Sequence, residues 1–214
     1  MNERRLTYDR VQEHLAGLVP DRPAVLAAME AEAGRTDFPI IGPAAGHACY
    51  QLARMIGARR IFEMGSGFGY STAWFARAVA ENGGGEVHHV VWDAALSARA
   101  RTSLAALGYG SFVRYHVAEA VETLRATEGT FDLIFNDIDK EAYASSFSLV
   151  AEKLRSGGLF IVDNALWDGR VFDGEDRSAS TEAIRELTRL VAADPGWIST
   201  ILPIRDGLLV AWKR

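Results

Sequence analysis

The chain has 214 residues, of which 49% are hydrophobic and 24% charged, a composition typical of one globular domain with a sizeable core. At this length about 70% of the unfolded surface becomes buried on folding, so neither disulfides nor a structural metal is needed. The formal net charge is -5 and the basic residues are scattered, which excludes a broad nucleic-acid-binding surface.

Location is indicated by the cysteine count and by the absence of long apolar runs. The single Cys49 has no intrachain partner, and the five histidines show no recurring ligand spacing. No apolar run reaches the roughly 18 residues of a membrane span, and the start of the chain lacks the apolar stretch of a secretion signal. We therefore expect a soluble, cytoplasmic protein whose residues 1–214 form a single domain.

The first 59 residues are predicted to form a helical cap. Apolar periodicity indicates helices at Tyr8–Leu18, Arg22–Ala33 and Pro43–Ile56, separated by proline and glycine residues. Because this segment is short and carries no strand pattern, residues 1–59 are expected to cover the remaining core, residues 60–214, without forming a domain of their own.

From residue 60 onward, strand-like runs alternate with amphipathic helices, which predicts an α/β fold with a mostly parallel sheet and helices on both faces. The predicted strands are Arg60–Met64, Glu86–Trp92, Ser111–Val117, Phe131–Asn136 and Leu159–Val162. The predicted helices between and after them are Thr72–Glu81, Ala95–Leu107, Ala120–Thr127, Glu141–Leu154 and Thr181–Ala193. The last strands, Trp197–Ile204 and Leu208–Trp212, flank Asp206 and Gly207, a pair typical of a hairpin turn.

A glycine loop follows the first predicted strand. Residues 62–71 read FEMGSGFGYS, so Gly65, Gly67 and Gly69 permit close approach of the backbone to a ligand, and Ser71 can cap the next helix. Glu63 precedes the glycines, where a carboxylate repels a pyrophosphate but attracts an ammonium and a sulfonium group. The loop therefore favours S-adenosylmethionine over a nicotinamide dinucleotide, although a glycine turn without a ligand is an alternative for the loop alone.

Polar side chains follow the fourth and fifth predicted strands. Asp137 comes directly after one, and Asp163 and Asn164 come after the other. Consecutive parallel strands joined by a helix are usually neighbours about 4.8 Å apart, so these oxygen donors should converge. Such donors suit Mg²⁺, with Mn²⁺ and Ca²⁺ as alternatives. Lys140 begins a helix, where a cation is disfavoured, and could accept a proton from a metal-bound hydroxyl.

Four segments together resemble the cation-dependent O-methyltransferases, the family that contains catechol and caffeoyl-coenzyme A O-methyltransferases. The segments are FEMGSGFGYS (62–71), FDLIFNDIDKEAY (131–143), LRSGGLFIVDNALWDGRV (154–171) and LPIRDGLLVAWK (202–213). The resemblance covers nearly the whole chain. It implies a Rossmann-like methyltransferase fold, a seven-stranded sheet with an antiparallel last strand, and a homodimer.

The resemblance also implies roles for individual residues. Asp137, Asp163 and Asn164 would be the metal ligands and Lys140 the catalytic base. Asp137 would also lie near the methionine part of S-adenosylmethionine, together with Glu63, the glycine loop and Ser71. Glu119 and Ala120 match the adenine-binding turn, and Trp167 would line the pocket of a small-molecule acceptor.

One position departs from the family pattern. The family has an acid at the end of the second strand that binds the cofactor ribose, whereas this chain has Val91 there, with Asp93 two residues later. A strand bulge could bring Asp93 into place, or Trp92 could stack on the cofactor. Asn136 is a smaller departure, since the family usually has an apolar residue before the first metal-binding aspartate.

Alternatives concern the methyl acceptor and the activity itself. The leading hypothesis is methylation of a catechol-like, vicinal dihydroxy aromatic compound. A second is methylation of a hydroxylated base in transfer RNA, with Arg54, Arg59 and Arg60 as candidate phosphate contacts. A third is a non-catalytic binding protein in which Val91 has weakened cofactor binding; the joint presence of Asp137, Lys140, Asp163 and Asn164 argues against it.

Overall fold

The computed structural model describes residues 7–214; residues 1–6 of the predicted cap lie outside this range. The helices are α1 (Tyr8–Gly17), α2 (Ala24–Thr36), α3 (Gly42–Met55), α4 (Tyr70–Glu81), α5 (Ala94–Ala106), α6 (Ala120–Ala126), α7 (Tyr143–Lys153) and α8 (Ala179–Ala193). The strands are β1 (Arg60–Met64), β2 (Glu86–Val91), β3 (Val113–Val117), β4 (Phe131–Asn136), β5 (Leu154–Val162), β6 (Trp197–Leu202) and β7 (Leu208–Lys213). Short 3₁₀ helices span Gly110–Phe112, Lys140–Ala142 and Trp167–Phe172.

All seven strands form one sheet in the order β3-β2-β1-β4-β5-β7-β6. The first five strands are parallel, whereas β7 is antiparallel to both β5 and β6. The predicted α/β class, the seven-stranded sheet and its antiparallel last strand are thus confirmed. Strand order reverses between β1 and β4, and ligands of open α/β sheets bind at the carboxyl ends of strands beside such a point.

Two apolar cores cover the two faces of the sheet. One contains the buried faces of α2, α3, α4 and α5, and the other those of α6, α7 and α8. The strand residues are buried on both sides, as the near-continuous apolar runs of β1, β4 and β5 require. Trp74 and Phe75 of α4 are among the largest fully buried side chains, so the helix after the glycine loop is fixed against the sheet.

The cap helices pack on this core and on the turn between β6 and β7. The hydroxyl of Tyr8 donates to the carbonyl of Arg205, and Gln12 donates to the carbonyl of Pro203 and accepts from the backbone N–H of Arg205. Gly46 of α3 lies so close to Trp74 that an added Cβ would be 2.3 Å from the indole nitrogen. Within residues 7–214, no helix combines the length and apolar character needed to cross a membrane.

Several predicted element bounds are wrong for identifiable reasons. β5 begins at Leu154, five residues before the predicted start, because the sheet continues through Gly157 with a register irregularity between Phe131 and Leu133 of β4. Residues 111–112 and 141–142 lie in 3₁₀ turns.

The other differences are shifts at the ends of elements. α2 begins after its N-cap Pro23 and continues to Thr36, followed by a left-handed Asp37. β2 ends at Val91, before Trp92, and β6 ends at Leu202, before Pro203, which cannot donate a ladder hydrogen bond.

Candidate active site

A cavity of about 560 Å³ opens at the carboxyl ends of β1, β2, β4 and β5. Most of the predicted site residues line this cavity, namely Gly65, Gly67, Ser71, Ala120, Asp137, Lys140, Asp163, Asn164 and Trp167. Four predicted site residues, Glu63, Gly69, Asp93 and Glu119, are not among the lining residues. The cavity therefore brings the glycine loop and the polar strand ends into one space, which we call the first cavity.

The glycine loop is pressed against the end of β4. Gly65 has φ +82°, and an added Cβ would lie 2.3 Å from the carbonyl oxygen of Asp137. Ser66 ties the loop to β2, since its backbone N–H donates to the carbonyl of Val90 and its hydroxyl accepts from the N–H of Val90, both at 3.0 Å. Only glycine combines this φ with this approach, so the loop conformation is fixed by its neighbours.

Glu63 lies beneath the loop, fully buried, rather than in the cavity wall. Its Oε2 accepts from the hydroxyl of Thr72, which in turn accepts from Nδ1 of His89 at 3.0 Å. Oε1 of Glu63 has no hydrogen-bond partner within the described residues. Burial raises the pKa of Glu63 to about 7 and lowers the pKa of His89 to about 3, because both charged forms are desolvated.

β2 ends at Val91, the position of the family's acid, and the aromatic Trp92 follows it. β2 pairs in regular register with β1 and β3 up to Val91, without the bulge that would turn Asp93 inward. Oδ1 of Asp93 accepts from the backbone N–H groups of Ala95 and Leu96, so this carboxylate caps α5. Trp92 lines the cavity and is 68% exposed, which leaves its ring free to stack on a ligand.

The turn before α6 shows a similar arrangement. The Glu119 carboxylate accepts from the backbone N–H groups of Val121 and Glu122 and caps α6. Its neighbours Ala118 and Ala120 line the cavity. This turn therefore offers backbone and small side chains to a ligand, while its acidic side chain stabilises the helix.

Asp137 and Lys140 form an ion pair at the end of β4. Lys140 Nζ lies 2.9 Å from Asp137 Oδ1, 3.2 Å from the carbonyl of Ile138 and 2.9 Å from the Tyr143 hydroxyl. The Tyr143 hydroxyl donates to the carbonyl of Asp163 at 3.1 Å and accepts from Lys140. Burial raises the pKa of Asp137, and the Lys140 ammonium opposes that rise.

The strand ladder brings the two aspartates together. The backbone N–H of Asp137 donates to the carbonyl of Met64, and that of Asp163 donates to the carbonyl of Asn136, so the parallel pairing continues one residue beyond β4 and β5. Burial and the negative charge of Asp137 raise the pKa of Asp163 to about 7. The predicted convergence of the two carboxylates is thus observed.

Arg205 and Asp206 of the β6–β7 turn complete this cluster, although in sequence they indicate only a turn. Arg205 Nη1 lies 3.3 Å from Asp163 Oδ2. Asp206 accepts from Asn164 Nδ2 at 3.0 Å and from the backbone N–H of Asp168 at 2.7 Å. This bond leaves the Asn164 amide oxygen free as a ligand atom. Tyr143 was also missed, although its buried hydroxyl joins Lys140 to Asp163.

The donor set fits a hard divalent cation. Asp163 is 1% exposed, and its Oδ1 has no hydrogen-bond partner in the described part of the chain, as expected for an oxygen that awaits a ligand. Among residues 7–214, no three His, Cys, Asp or Glu side chains cluster to hold a metal. The set therefore depends on two carboxylates and the Asn164 amide, a combination that suits an ion retaining several waters, such as Mg²⁺.

A second cavity of about 810 Å³ adjoins the first. It is bounded by α1, the start of α3 and the loops after β5 and β6, and it shares Pro39, Ile41, Asn164, Trp167 and Arg205 with the first cavity. The Trp167 indole N–H is buried without a partner in the described residues, and its ring centre lies 5.8 Å from Lys140 Nζ. The two cavities therefore meet at Asn164, Trp167 and Arg205, beside the predicted base and the two aspartates.

Comparisons with known proteins agree with this architecture. The O-methyltransferase family model matches residues 25–214. A catechol O-methyltransferase of Niastella koreensis is 30% identical over 95% of this chain and 96% of its own length. A putative O-methyltransferase of Mycolicibacterium smegmatis is 32% identical over 88% of this chain and 90% of its own length.

Solved structures give the same result. The O-methyltransferase TomG of Streptomyces achromogenes, determined in complex with S-adenosylmethionine, has a TM-score of 0.85 and 25% identity over 98% of this chain and 99% of its own. The resemblance found in the sequence motifs is confirmed at the level of the family. This chain belongs to the O-methyltransferase family.

Proposed function

We propose that this protein transfers the methyl group of S-adenosylmethionine to one hydroxyl of a catechol-like, vicinal dihydroxy aromatic molecule, with the help of a bound divalent cation. The activity class, O-methyl transfer, follows from family membership. The observation that supports the finer proposal is the convergence of Asp137, Asp163, Asn164 and Lys140 in the first cavity, which the second cavity adjoins at Asn164.

The first cavity offers S-adenosylmethionine a site along the sheet edge. The glycine loop and Ser71 would hold its methionine end through backbone and hydroxyl groups. Ala118 and Ala120 leave room for the adenine, and the exposed Trp92 ring can stack against the nucleoside. Because Asp93 caps α5, the ribose would be held without a carboxylate from the end of β2.

The metal ligands would be Asp137, Asp163 and Asn164. When bound there, a divalent cation would supply positive charge that lowers the pKa of an acceptor hydroxyl. Asp206 orients the Asn164 amide by accepting its N–H, the kind of support that fixes metal ligands. We infer Mg²⁺ as the physiological ion from the all-oxygen donor set, with Mn²⁺ and Ca²⁺ as alternatives.

Lys140, as the neutral amine, is placed to receive the proton of the acceptor hydroxyl at Nζ. Its contacts with Asp137, Ile138 and Tyr143 hold the amine at the cavity wall, where its side chain is 12% exposed. Holding the acceptor oxygen, the methyl carbon and the sulfur in line would be the main contribution, because methyl transfer is a direct displacement in which the O–C bond forms as the C–S bond breaks.

The acceptor would enter through the second cavity. Trp167 forms part of the wall shared by both cavities, so an aromatic ring against it would have its hydroxyls near Lys140 and the metal ligands. The catechol O-methyltransferase of Niastella koreensis supports a catechol as the substrate class, since that relative aligns over nearly its whole length.

The alternative acceptor, a base in transfer RNA, finds less support. Arg59 and Arg60 lie at the start of β1, the edge of the sheet opposite the cavity. Arg54 pairs with Glu81 at 2.9 Å and Arg60 pairs with Glu86 at 2.9 Å, while Arg59 donates to the carbonyl of Gly84. The three arginines thus already pair with neighbouring groups, and none of them lines the first cavity.

Metal binding by two variants tests the assigned roles. Asp163→Ala is expected to lose divalent-cation binding, because it removes a buried ligand oxygen. Lys140→Ala is expected to retain it, because the amine is not a ligand. Calorimetric titration with Mg²⁺ measures both. Equal affinity in Asp163→Ala and wild type would contradict the metal assignment.

A further inference from the structure

Two cationic side chains already pair with the two carboxylates of the proposed metal site. Lys140 lies 2.9 Å from Asp137 Oδ1, and Arg205 lies 3.3 Å from Asp163 Oδ2. Each of these two carboxylates therefore already has a cationic partner, and Asp206, bonded to Asn164, adds a third negative charge to the cluster. A divalent cation bound to Asp137 and Asp163 would lie beside Lys140 and Arg205 and be repelled by both unless one of these side chains withdraws.

Arg205 is the side chain that can withdraw. Lys140 is held by three oxygen atoms and is 12% exposed. The Arg205 guanidinium has a single hydrogen-bond partner within the described residues, at the longer distance of 3.3 Å, and its side chain is 37% exposed. Because Arg205 lines both cavities, it has space into which the guanidinium can move.

The backbone of the turn holds Arg205 in place even when its side chain moves. The backbone N–H of Arg205 donates to Gln12, and its carbonyl accepts from the hydroxyl of Tyr8. Arg205 has φ +51°, a conformation that glycine and asparagine adopt with less strain. Backbone preference therefore does not account for an arginine here, whereas the contact with Asp163 does.

We propose that Arg205 is a built-in competitor of the divalent cation: its guanidinium occupies Asp163 in the metal-free protein and must withdraw toward the second cavity for the cation to bind. Arg205 thereby sets the metal affinity of the site. This inference rests on the proposed metal-dependent function. It adds that Arg205, which is not itself a metal ligand, lowers the affinity of the wild-type protein for the divalent cation.

Mn²⁺ binding, followed by the electron paramagnetic resonance signal of free Mn²⁺, tests the proposal without any measurement of activity. Arg205→Gly and Arg205→Asn both remove the guanidinium and both tolerate positive φ. We expect each to lower the Kd for Mn²⁺ at least 10-fold relative to wild type. Arg189→Ala, which removes the same charge from the exposed surface of α8, is the matched control and should leave the Kd unchanged.

Several outcomes would overturn the inference. Equal Kd values in wild type and both Arg205 variants, with binding abolished by Asp163→Asn, would refute the role of Arg205 and leave the metal site standing. Tighter binding in Arg205→Gly but not in Arg205→Asn would assign the effect to the backbone, and an equal gain in Arg189→Ala would assign it to net charge. Absence of Mn²⁺ binding in every variant would refute the metal proposal as well.

Discussion

Lys140 lines the first cavity. Its proposed role as a general base can be tested by kinetics. Lys140→Met keeps the length of the side chain but removes the amine. We expect kcat to fall by about 10² to 10⁴, the usual contribution of a general base, with the Kd for S-adenosylmethionine changed less than about threefold. Lys153→Met is a suitable control, because Lys153 lies on α7 and donates to the carbonyl of Thr127.

A loss of cofactor affinity in Lys140→Met as large as the loss of kcat would contradict the base assignment, since the residue would then be holding the cofactor. Measurement of kcat at saturating acceptor, together with calorimetric titration of the cofactor, separates the two roles.

Glu63 predicts a pH dependence of stability. Burial raises its pKa from 4.5 to about 7 in the folded protein, so the folded state holds this proton more tightly than the unfolded state. The contribution of Glu63 to the free energy of unfolding is therefore greatest below pH 4.5 and falls as the pH rises to about 7, by roughly 3 kcal/mol.

Denaturant titrations of wild type and Glu63→Gln across this range measure that change. The difference in unfolding free energy, wild type minus variant, should decrease by this amount between pH 4.5 and about pH 7. A difference that stays constant would show that Glu63 ionises normally in the folded protein.

Single residues also show where sequence reasoning succeeds and where it ends. The shared location of Asp137, Asp163 and Asn164 could be predicted because they follow the ends of β4 and β5, and the ends of parallel strands share one edge. Arg205 and Asp206 could not, since their contacts depend on β7 pairing between β5 and β6. In sequence, Asp206 and Gly207 signal only a hairpin.

Among the elements, the glycine loop has a tightly constrained geometry. Gly65→Ala would place a Cβ 2.3 Å from the carbonyl of Asp137, so the loop or the end of β4 must move. We expect at least 10-fold weaker binding of S-adenosylmethionine, because even small displacements spoil a preorganised site.

Gly83→Ala is the matched control for this variant. Gly83 also has positive φ, +92°, but an added Cβ there meets nothing within 4 Å. Both variants carry the backbone strain of about 1 kcal/mol, and only Gly65→Ala adds the clash. Equal cofactor affinities in the two variants would contradict the role given to the loop.

Element positions were predictable where apolar runs and helices alternate, and less so where glycines interrupt a strand. β1 and β4 were predicted with their observed bounds, because buried parallel strands have an unmistakable apolar pattern. The start of β5 was missed, since Gly157 and Gly158 resemble a break in sequence but lie within the strand in the sheet. Neighbouring β4 supplies the hydrogen bonds that override this local preference.

For the whole molecule, the sheet order explains why one edge carries the chemistry. The alternation of strands and helices predicted a doubly wound fold, but not the two adjoining cavities, because these require the cap helices to pack on the β6–β7 turn through Tyr8 and Gln12. The cap therefore contributes walls to the second cavity and fixes the backbone of Arg205.

The family resemblance also leads us to expect a homodimer. Exposed apolar side chains such as Ile198 on the edge strand β6 and Trp212 on its neighbour β7 are available for contacts between copies. Light scattering coupled to size-exclusion chromatography should give a mass of about 47 kDa, twice that of the 23.4 kDa chain. A mass equal to one chain at micromolar concentration would contradict the dimer.

The central claim, cation-assisted methylation of a vicinal dihydroxy aromatic, is tested most directly by mass spectrometric detection of the methylated product. Wild-type protein is incubated with S-adenosylmethionine and catechol, with Mg²⁺, with a chelator, and with the chelator followed by excess Mg²⁺. The proposed function predicts methoxyphenol with Mg²⁺, loss of the product with the chelator, and recovery when Mg²⁺ is restored. Equal product formation with and without the chelator, or no product from a panel of vicinal diols at saturating cofactor and Mg²⁺, would contradict it.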